Sequence, residues 1–199
     1  ELQKLAGLPE NPDVPVVSMV SRLASHKGFD LVEYILPEIL ELGVQFVLLG
    51  TGEADIEDYF RNIQNRYPDQ VKVFLEFNKD LSKKIYAGSD MFLMPSKSEP
   101  CGLAQMISSR YGTVPIVRET GGLYDTIKPY NKFTGEGNGF TFANYNAHEM
   151  KDAVKRAVEL YKDAKKWKAL TKAIMDVDFS WDVSAEKYMD LYKDVSNEY

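Results

Sequence analysis

Three charged residues stand where short apolar runs give way to glycine-containing loops. Arg22 and Lys27 lie in SRLASHKG (21–28), and Glu99 lies in PSKSEPCGLAQM (95–106). Two cations in one turn, followed by Gly28 and a helical pattern, suit a diphosphate: the side chains supply point charges, and a helix start supplies amides and a positive dipole end. The same pair would also suit a solvated loop. Glu99 precedes Pro100, whose missing N–H costs nothing in a first helical turn. The next amides, of Cys101, Gly102 and Leu103, would then point out of the helix start toward phosphate or sugar oxygens. Glu99 either caps that helix and complements its dipole or accepts hydrogen bonds from sugar hydroxyls.

Other strand ends carry weaker signals. Gly50 and Gly52 in GTGE (50–53) permit close backbone approach to a ligand, or simply a helix-entry turn. Phe77 in EFN (76–78) either stacks on a flat base or belongs to the core, with core favoured by its apolarity alone. Thr120 and Gly121 in RETGGL (118–123) again indicate close approach or a strained turn. With one cysteine and two histidines in the chain, Cys101 has no nearby base, and a metal-ligand cluster is not expected. Small size at a tight turn explains Cys101 better than nucleophilic chemistry.

The elements that must position these residues are legible as alternating runs. Continuous apolar stretches at 14–20, 44–50, 71–77, 91–95, 114–118 and 139–142 read as buried strands. Helical spacing covers 29–42 (interrupted by Pro37), 54–67, 80–90, 102–112, 147–161, 163–175 and 180–195. Asn146 and Glu149 match a capping box. Apolar strands separated by helices mean a parallel sheet covered on both faces: an α/β, doubly wound, Rossmann-like domain of about six strands. Such folds bind ligands at the carboxyl ends of the strands, where strand order switches. The one long glycine-containing loop, 128–139, reads as a mobile surface segment or a rim of the site.

The totals narrow the function class. At 199 residues with a net charge of −6, the chain is one domain with a substantial core and a poor partner for nucleic acid. No apolar run approaches the roughly 20 residues of a membrane span. A single cysteine forms no internal disulfide and calls for no oxidising compartment, so a cytoplasmic location is expected. The opening ELQKLAGLPENPD lacks the basic and apolar regions of a signal peptide and reads as the interior of a longer chain.

The motifs SRLASHKGFD, LLGTGE, EFNKDLSKKIYAGSDMFLMPS, SEPCGLAQM, RYGTVPIVRETGGLYDT and FSWDVSAEKYMDLY follow one another over nearly the whole chain. Together this series resembles the bacterial glycogen synthases and plant starch synthases. EPCGL followed by TGGLYDT is its most specific part. The resemblance implies a GT-B architecture, two Rossmann-like domains facing each other across a cleft, of which this chain is the C-terminal, nucleotide-sugar-binding half. Residues 1–178 would form that domain, and 179–199 a helix crossing back to the N-terminal one. The implied reaction transfers glucose from ADP-glucose to the non-reducing end of an α-1,4-glucan, with retention and with no cofactor or metal, and the resemblance implies the plastid stroma as its place in a plant. The glucan acceptor would be held mainly by the N-terminal domain, so this chain alone is expected to bind ADP or ADP-glucose and to transfer little or nothing.

Carried over by position, Arg22 and Lys27 match the family's cations on the distal phosphate, where they would stabilise charge on departing ADP. Glu99 matches the acid on the donor glucose hydroxyls, and the amides at Cys101, Gly102 and Leu103 match sugar and phosphate contacts. Phe77 falls where the family often sets an aromatic residue against adenine. Trp181 and Tyr188 match the helix that returns to the N-terminal domain. Lys97 and Ser98 replace an Arg-Phe found in many relatives, Ile107 stands where some related transferases carry a second glutamate, and Ala104 stands where a hydroxyl residue sometimes meets phosphate. Two other classes compete: a retaining transferase using a UDP-sugar, which would prefer UDP over ADP, and a non-catalytic α/β interaction module, which would bind no nucleotide at any strand end.

Overall fold

The computed structural model of the protein describes residues 1–197. Six strands form one sheet: β1 (Val16–Val20), β2 (Gln45–Leu49), β3 (Val71–Phe74), β4 (Met91–Met94), β5 (Val114–Arg118) and β6 (Phe140–Phe142). They are ordered β3-β2-β1-β4-β5-β6, and every pairing is parallel. This is the doubly wound topology expected from the sequence. The helices are α1 (Leu2–Ala6), α2 (Phe29–Leu40), α3 (Ala54–Arg66), α4 (Lys79–Gly88), α5 (Ala104–Arg110), α6 (Gly121–Thr126), α7 (Ala147–Tyr161), α8 (Ala164–Met175) and α9 (Trp181–Asn197), with a 3-10 turn at Ser25–Lys27.

Strand alternation sorts the core into two layers. Val17, Met19, Phe46, Leu48, Met91 and Leu93 face α2, α3, α7 and α8. On the other face, Val47 and Leu49 meet α1 and α4, and Phe92, Met94 and Val117 meet Tyr86, Leu123 and Ile127. Both faces are covered, which is why the strands read as predominantly apolar runs.

Local chemistry sets several boundaries. Pro37 sits inside α2 and does not end it. It removes the N–H that would bond the Glu33 carbonyl, and the Tyr59 hydroxyl donates to that carbonyl instead, at 2.8 Å. Asn146 caps α7 by accepting from the His148 and Glu149 amides. The return arm of the expected capping box differs: the Glu149 carboxylate accepts from Asn144, from its amide at 3.0 Å and its side chain at 2.6 Å. The third strand is shorter than expected. The chain turns outward at Glu76 and Phe77, and Asn78 accepts from the Leu81 amide to start α4.

Two elements lay outside the sequence reading. Residues 2–6 form α1, and RETGGL opens into α6. The 128–139 loop is tied at its base by Asn138, whose side chain donates to the Thr126 carbonyl at 2.9 Å, and Phe133 near its tip is exposed. No helix among the described residues is long and apolar enough to cross a membrane.

Candidate active site

β1 and β4 lie side by side, and from them the chain runs toward opposite edges of the sheet. Their carboxyl ends therefore open a crevice at the point where strand order reverses. A cavity of about 220 Å³ occupies it, lined by Ser21, Arg22, Lys27, Ser96, Glu99 and Leu103 among others. A second, of about 200 Å³, shares Val20, Ser21 and Arg22 with the first and continues past Gly50 to Phe77. The two make one bent cleft with Arg22 at the elbow.

The loops around the cleft are locked to one another through their backbones. An ideal Cβ at Gly28 would lie 2.2 Å from the Pro95 carbonyl oxygen, so only glycine admits this approach. Next to it, the Lys97 amide donates to the His26 carbonyl at 2.9 Å. From β5, Arg118 Nε donates to the Ser96 carbonyl at 2.9 Å and Nη2 to the Lys97 carbonyl at 2.7 Å. Its guanidinium lies over the Tyr145 ring, 5.6 Å from the centroid. The Tyr145 hydroxyl donates to Asp30, and burial together with that carboxylate holds its pKa far above the ordinary phenol value. The Gly122 amide donates to the Glu99 and Pro100 carbonyls at 3.1 and 3.2 Å.

Within this frame Lys27 and Glu99 meet. Lys27 Nζ lies 2.6 Å from Glu99 Oε2, their side chains 20% and 10% exposed. Ser96 Oγ donates to the same oxygen at 3.2 Å. Glu99 Oε1 has no partner among the described residues, and an ammonium with three donors can hold Glu99 and still meet a second anion. Arg22 is exposed at the cleft wall. The amides of Cys101, Gly102 and Leu103 make no hydrogen bond among the described residues. The site thus collects two cations, one oriented carboxylate and two free amides, those of Gly102 and Leu103, a set suited to phosphate oxygens at one end and hydroxyl groups at the other.

The sequence-predicted residues separate accordingly. Arg22, Lys27, Glu99, Gly102 and Leu103 line the first cavity, and Gly50 and Phe77 line the second. Phe77 is 83% exposed, which corrects the core reading of this side chain. Gly50 and Gly52 do permit close approach, but the backbone they admit is that of Ser21 and Leu23, at 1.8 and 2.0 Å from an ideal Cβ. Gly121 likewise admits the Glu99 carbonyl. Gly52, Cys101, Thr120 and Gly121 line neither cavity. The expected helix start at Pro100 is also corrected. α5 begins at Ala104, with Leu103 as its cap and Gly102 at φ 75°, so the three free amides belong to a loop. Arg118 and Ser96 were missed as contributors. Arg118 at a strand end was the available signal, but which carbonyls it would grip was not.

Among the described residues no three His, Cys, Asp or Glu side chains are grouped to hold a metal ion. A cavity of about 730 Å³ lies at the opposite, amino edge of the sheet, lined by Asp90, Tyr111, Tyr161 and Trp167 among others. It is remote from the strand ends that carry the cleft.

Residues 3–173 match the family described as glycosyl transferases group 1. The chain belongs to this family. This group 1 glycosyl transferase chain is 53% identical over 192 residues to the glycogen synthase of Bacillus licheniformis and 55% identical over 192 residues to that of Desulforamulus reducens. Each match covers 96% of the chain and 40% of the relative, so the transferase chain spans about two fifths of the length of these curated proteins. Among solved structures it is similar to the catalytic domain of starch synthase IV from Arabidopsis thaliana, bound to ADP and acarbose. There the TM-score is 0.88 at 40% identity, over 96% of this chain and 41% of that one. The parallel sheet and its helices have the fold of the C-terminal half of a GT-B glycosyltransferase.

Proposed function

We propose that this chain is the donor-binding half of a retaining glucosyltransferase that moves glucose from ADP-glucose to the non-reducing end of an α-1,4-glucan. The observation that carries the proposal is the convergence of Lys27 and Glu99 at the strand-order switch point, beside Arg22 and the unpaired amides of Gly102 and Leu103. In this reading the diphosphate lies between Arg22 and Lys27, which oppose the charge that builds on ADP as the glycosidic bond to phosphate breaks. Glu99 Oε1 and the loop amides hold the glucose hydroxyls. The base extends into the second cavity against Phe77. The reading needs no metal, because the two cations and the amides serve the leaving group directly.

Similarity to a starch synthase solved with ADP supports the adenine nucleotide, and similarity to glycogen synthases supports the glucan. The apolar side chains of α9, including Trp181 at 84% and Tyr188 at 58% exposure, suit a helix that packs on the acceptor-binding domain of such an enzyme. A cytoplasmic place fits the same reading.

Calorimetric titration with ADP, ADP-glucose and UDP tests it, together with the Arg22→Ala, Lys27→Ala double variant. ADP and ADP-glucose are expected to bind, and the double variant to bind at least about tenfold more weakly. Tighter binding of UDP than of ADP would move the protein to another donor class. Unchanged binding by the double variant would remove the cations from the site. Full transfer to a maltooligosaccharide by this chain alone would overturn the half-site reading.

A further inference from the structure

All four carbonyls of the segment Glu99–Gly102 turn toward protein. The Gly122 amide takes the first two. One side chain takes the others: Gln105 Nε2 donates to Cys101 O at 3.2 Å and to Gly102 O at 2.9 Å, and also approaches Thr126 Oγ1 at 3.1 Å. Apart from a 3.6 Å contact from the Cys101 thiol to Gly102 O, no other group among the described residues bonds these two carbonyls. Gln105 is 0% exposed. Its Oε1 is enclosed without a donor and lies 2.5 Å from where a Cβ on Gly102 would stand. The side chain therefore fills the space under the loop that glycine leaves.

A trans peptide points its C=O and N–H in opposite directions. The Cys101 carbonyl shares a peptide with the Gly102 amide, and the Gly102 carbonyl shares one with the Leu103 amide. Holding both carbonyls inward holds both amides outward, and Gly102 and Leu103 line the cavity beside Glu99. We infer that Gln105 is a positioning residue for the donor site, aiming the Gly102 and Leu103 amides at the ligand without touching it. Thr126 extends the device, because its hydroxyl donates to the Gly122 carbonyl at 2.6 Å and so ties Gln105 to the glycine that turns the preceding peptide. The ligand assignment rests on the donor-site reading above; the orientation of the amides does not.

The test uses two variants and two readouts. Gln105→Met keeps the volume and removes the donors. The amide resonances and couplings of Gly102 and Leu103, measured by NMR without ligand, are expected to shift or broaden while those of the sheet stay in place. ADP-glucose is expected to bind about tenfold more weakly, as the loss of two aimed amides implies. Gln105→Glu adds a pH signature. Its protonated carboxyl retains one donor and its ionised form has none. Its affinity for ADP-glucose should therefore approach the native value at about pH 5 and fall as the buried carboxyl ionises, a step the native chain lacks. A merely structural role predicts instead that the sheet resonances and the urea midpoint change together with the affinity over the same pH range. Native-like Gly102 and Leu103 resonances in Gln105→Met, or pH-independent binding by Gln105→Glu, would overturn the inference. If Gln105→Met does not fold, the resonances of Gln105→Glu across the same pH range decide the question. If the native chain fails to bind ADP-glucose while the resonances respond as expected, the donor reading fails and the positioning role stands.

Discussion

Lys27 and Glu99 are 72 residues apart in the chain, and their charged groups meet at 2.6 Å in the cleft between β1 and β4. The pair is largely withdrawn from water, so removing one partner leaves the other charge without its counterion. Lys27→Met should cost roughly 2–3 kcal/mol, because Glu99 keeps only the Ser96 hydroxyl. Glu99→Gln should cost roughly 1 kcal/mol, since Lys27 can extend toward solvent. The double variant should cost less than the sum of the two. Urea unfolding of the four proteins measures this, and strictly additive effects would show that the contact contributes no coupling.

Gly122 shows how closely two loops are pressed together at the site. An ideal Cβ there would lie 1.9 Å from the Cys101 carbonyl oxygen. Gly122→Ala must push the Glu99–Gly102 loop away, at an expected cost above about 2 kcal/mol and with loss of nucleotide binding. Gly135 has positive φ but open space around it, so Gly135→Ala should cost only about 1 kcal/mol and leave binding unchanged. Equal effects of the two substitutions would contradict the close-approach account.

Asp90 predicts a pH dependence of stability. Burial pushes its pKa from 3.8 up to about 6, although the Val16 amide hydrogen bond pulls the other way. A carboxyl that holds its proton more tightly when folded stabilises the fold fully below its unfolded pKa, and this contribution is lost as pH rises through the folded value. Between about pH 4 and pH 6 this group should lower stability by up to about 3 kcal/mol. Asp90→Asn should flatten that part of the stability profile, measured by urea midpoints across the range. An unchanged slope in the variant would assign the dependence to other groups.

Phe77 is exposed and separable from the core. Phe77→Ala should change unfolding free energy by no more than about 0.5 kcal/mol while weakening ADP binding roughly tenfold through lost stacking. Unaltered ADP affinity would place the base elsewhere.

The Pro37–Tyr59 substitution of one donor for another gives a compact double-mutant test. Tyr59→Phe should cost about 1 kcal/mol because the Glu33 carbonyl loses its partner. In a Pro37→Ala background the restored helix amide takes that carbonyl, and Tyr59→Phe should become nearly neutral. A full cost in both backgrounds would show that the hydroxyl serves something besides the carbonyl that Pro37 leaves free.

Much of the frame was readable because its signals are local. Val16–Val20 and Gln45–Leu49 are apolar apart from the buried Ser18 and Gln45 because both sheet faces are covered, and the glycines that follow them mark the strand ends where the cleft lies. The errors also have local causes. EPCGL looks like a helix start because Pro100 suits a first turn, yet the positive φ of Gly102 and the side chain folded beneath it delay α5 to Ala104. Phe77 looks like core because apolarity alone does not say which way a strand end turns.

By itself, the sequence determined the alternation of strands and helices, the parallel class of the sheet, the family resemblance, and the residue types gathered at the strand ends. These depend on periodicity and on neighbours a few residues apart, which composition and spacing record. Only the tertiary structure decided that Lys27 reaches Glu99, that Arg118 grips the Ser96 and Lys97 carbonyls, and that the conspicuous glycines make room chiefly for other loops. It also decided that the buried Gln105 side chain bonds the Cys101 and Gly102 carbonyls beneath the loop. Those contacts join segments brought together by the order in which strands pair, and that order is settled by packing of the whole sheet.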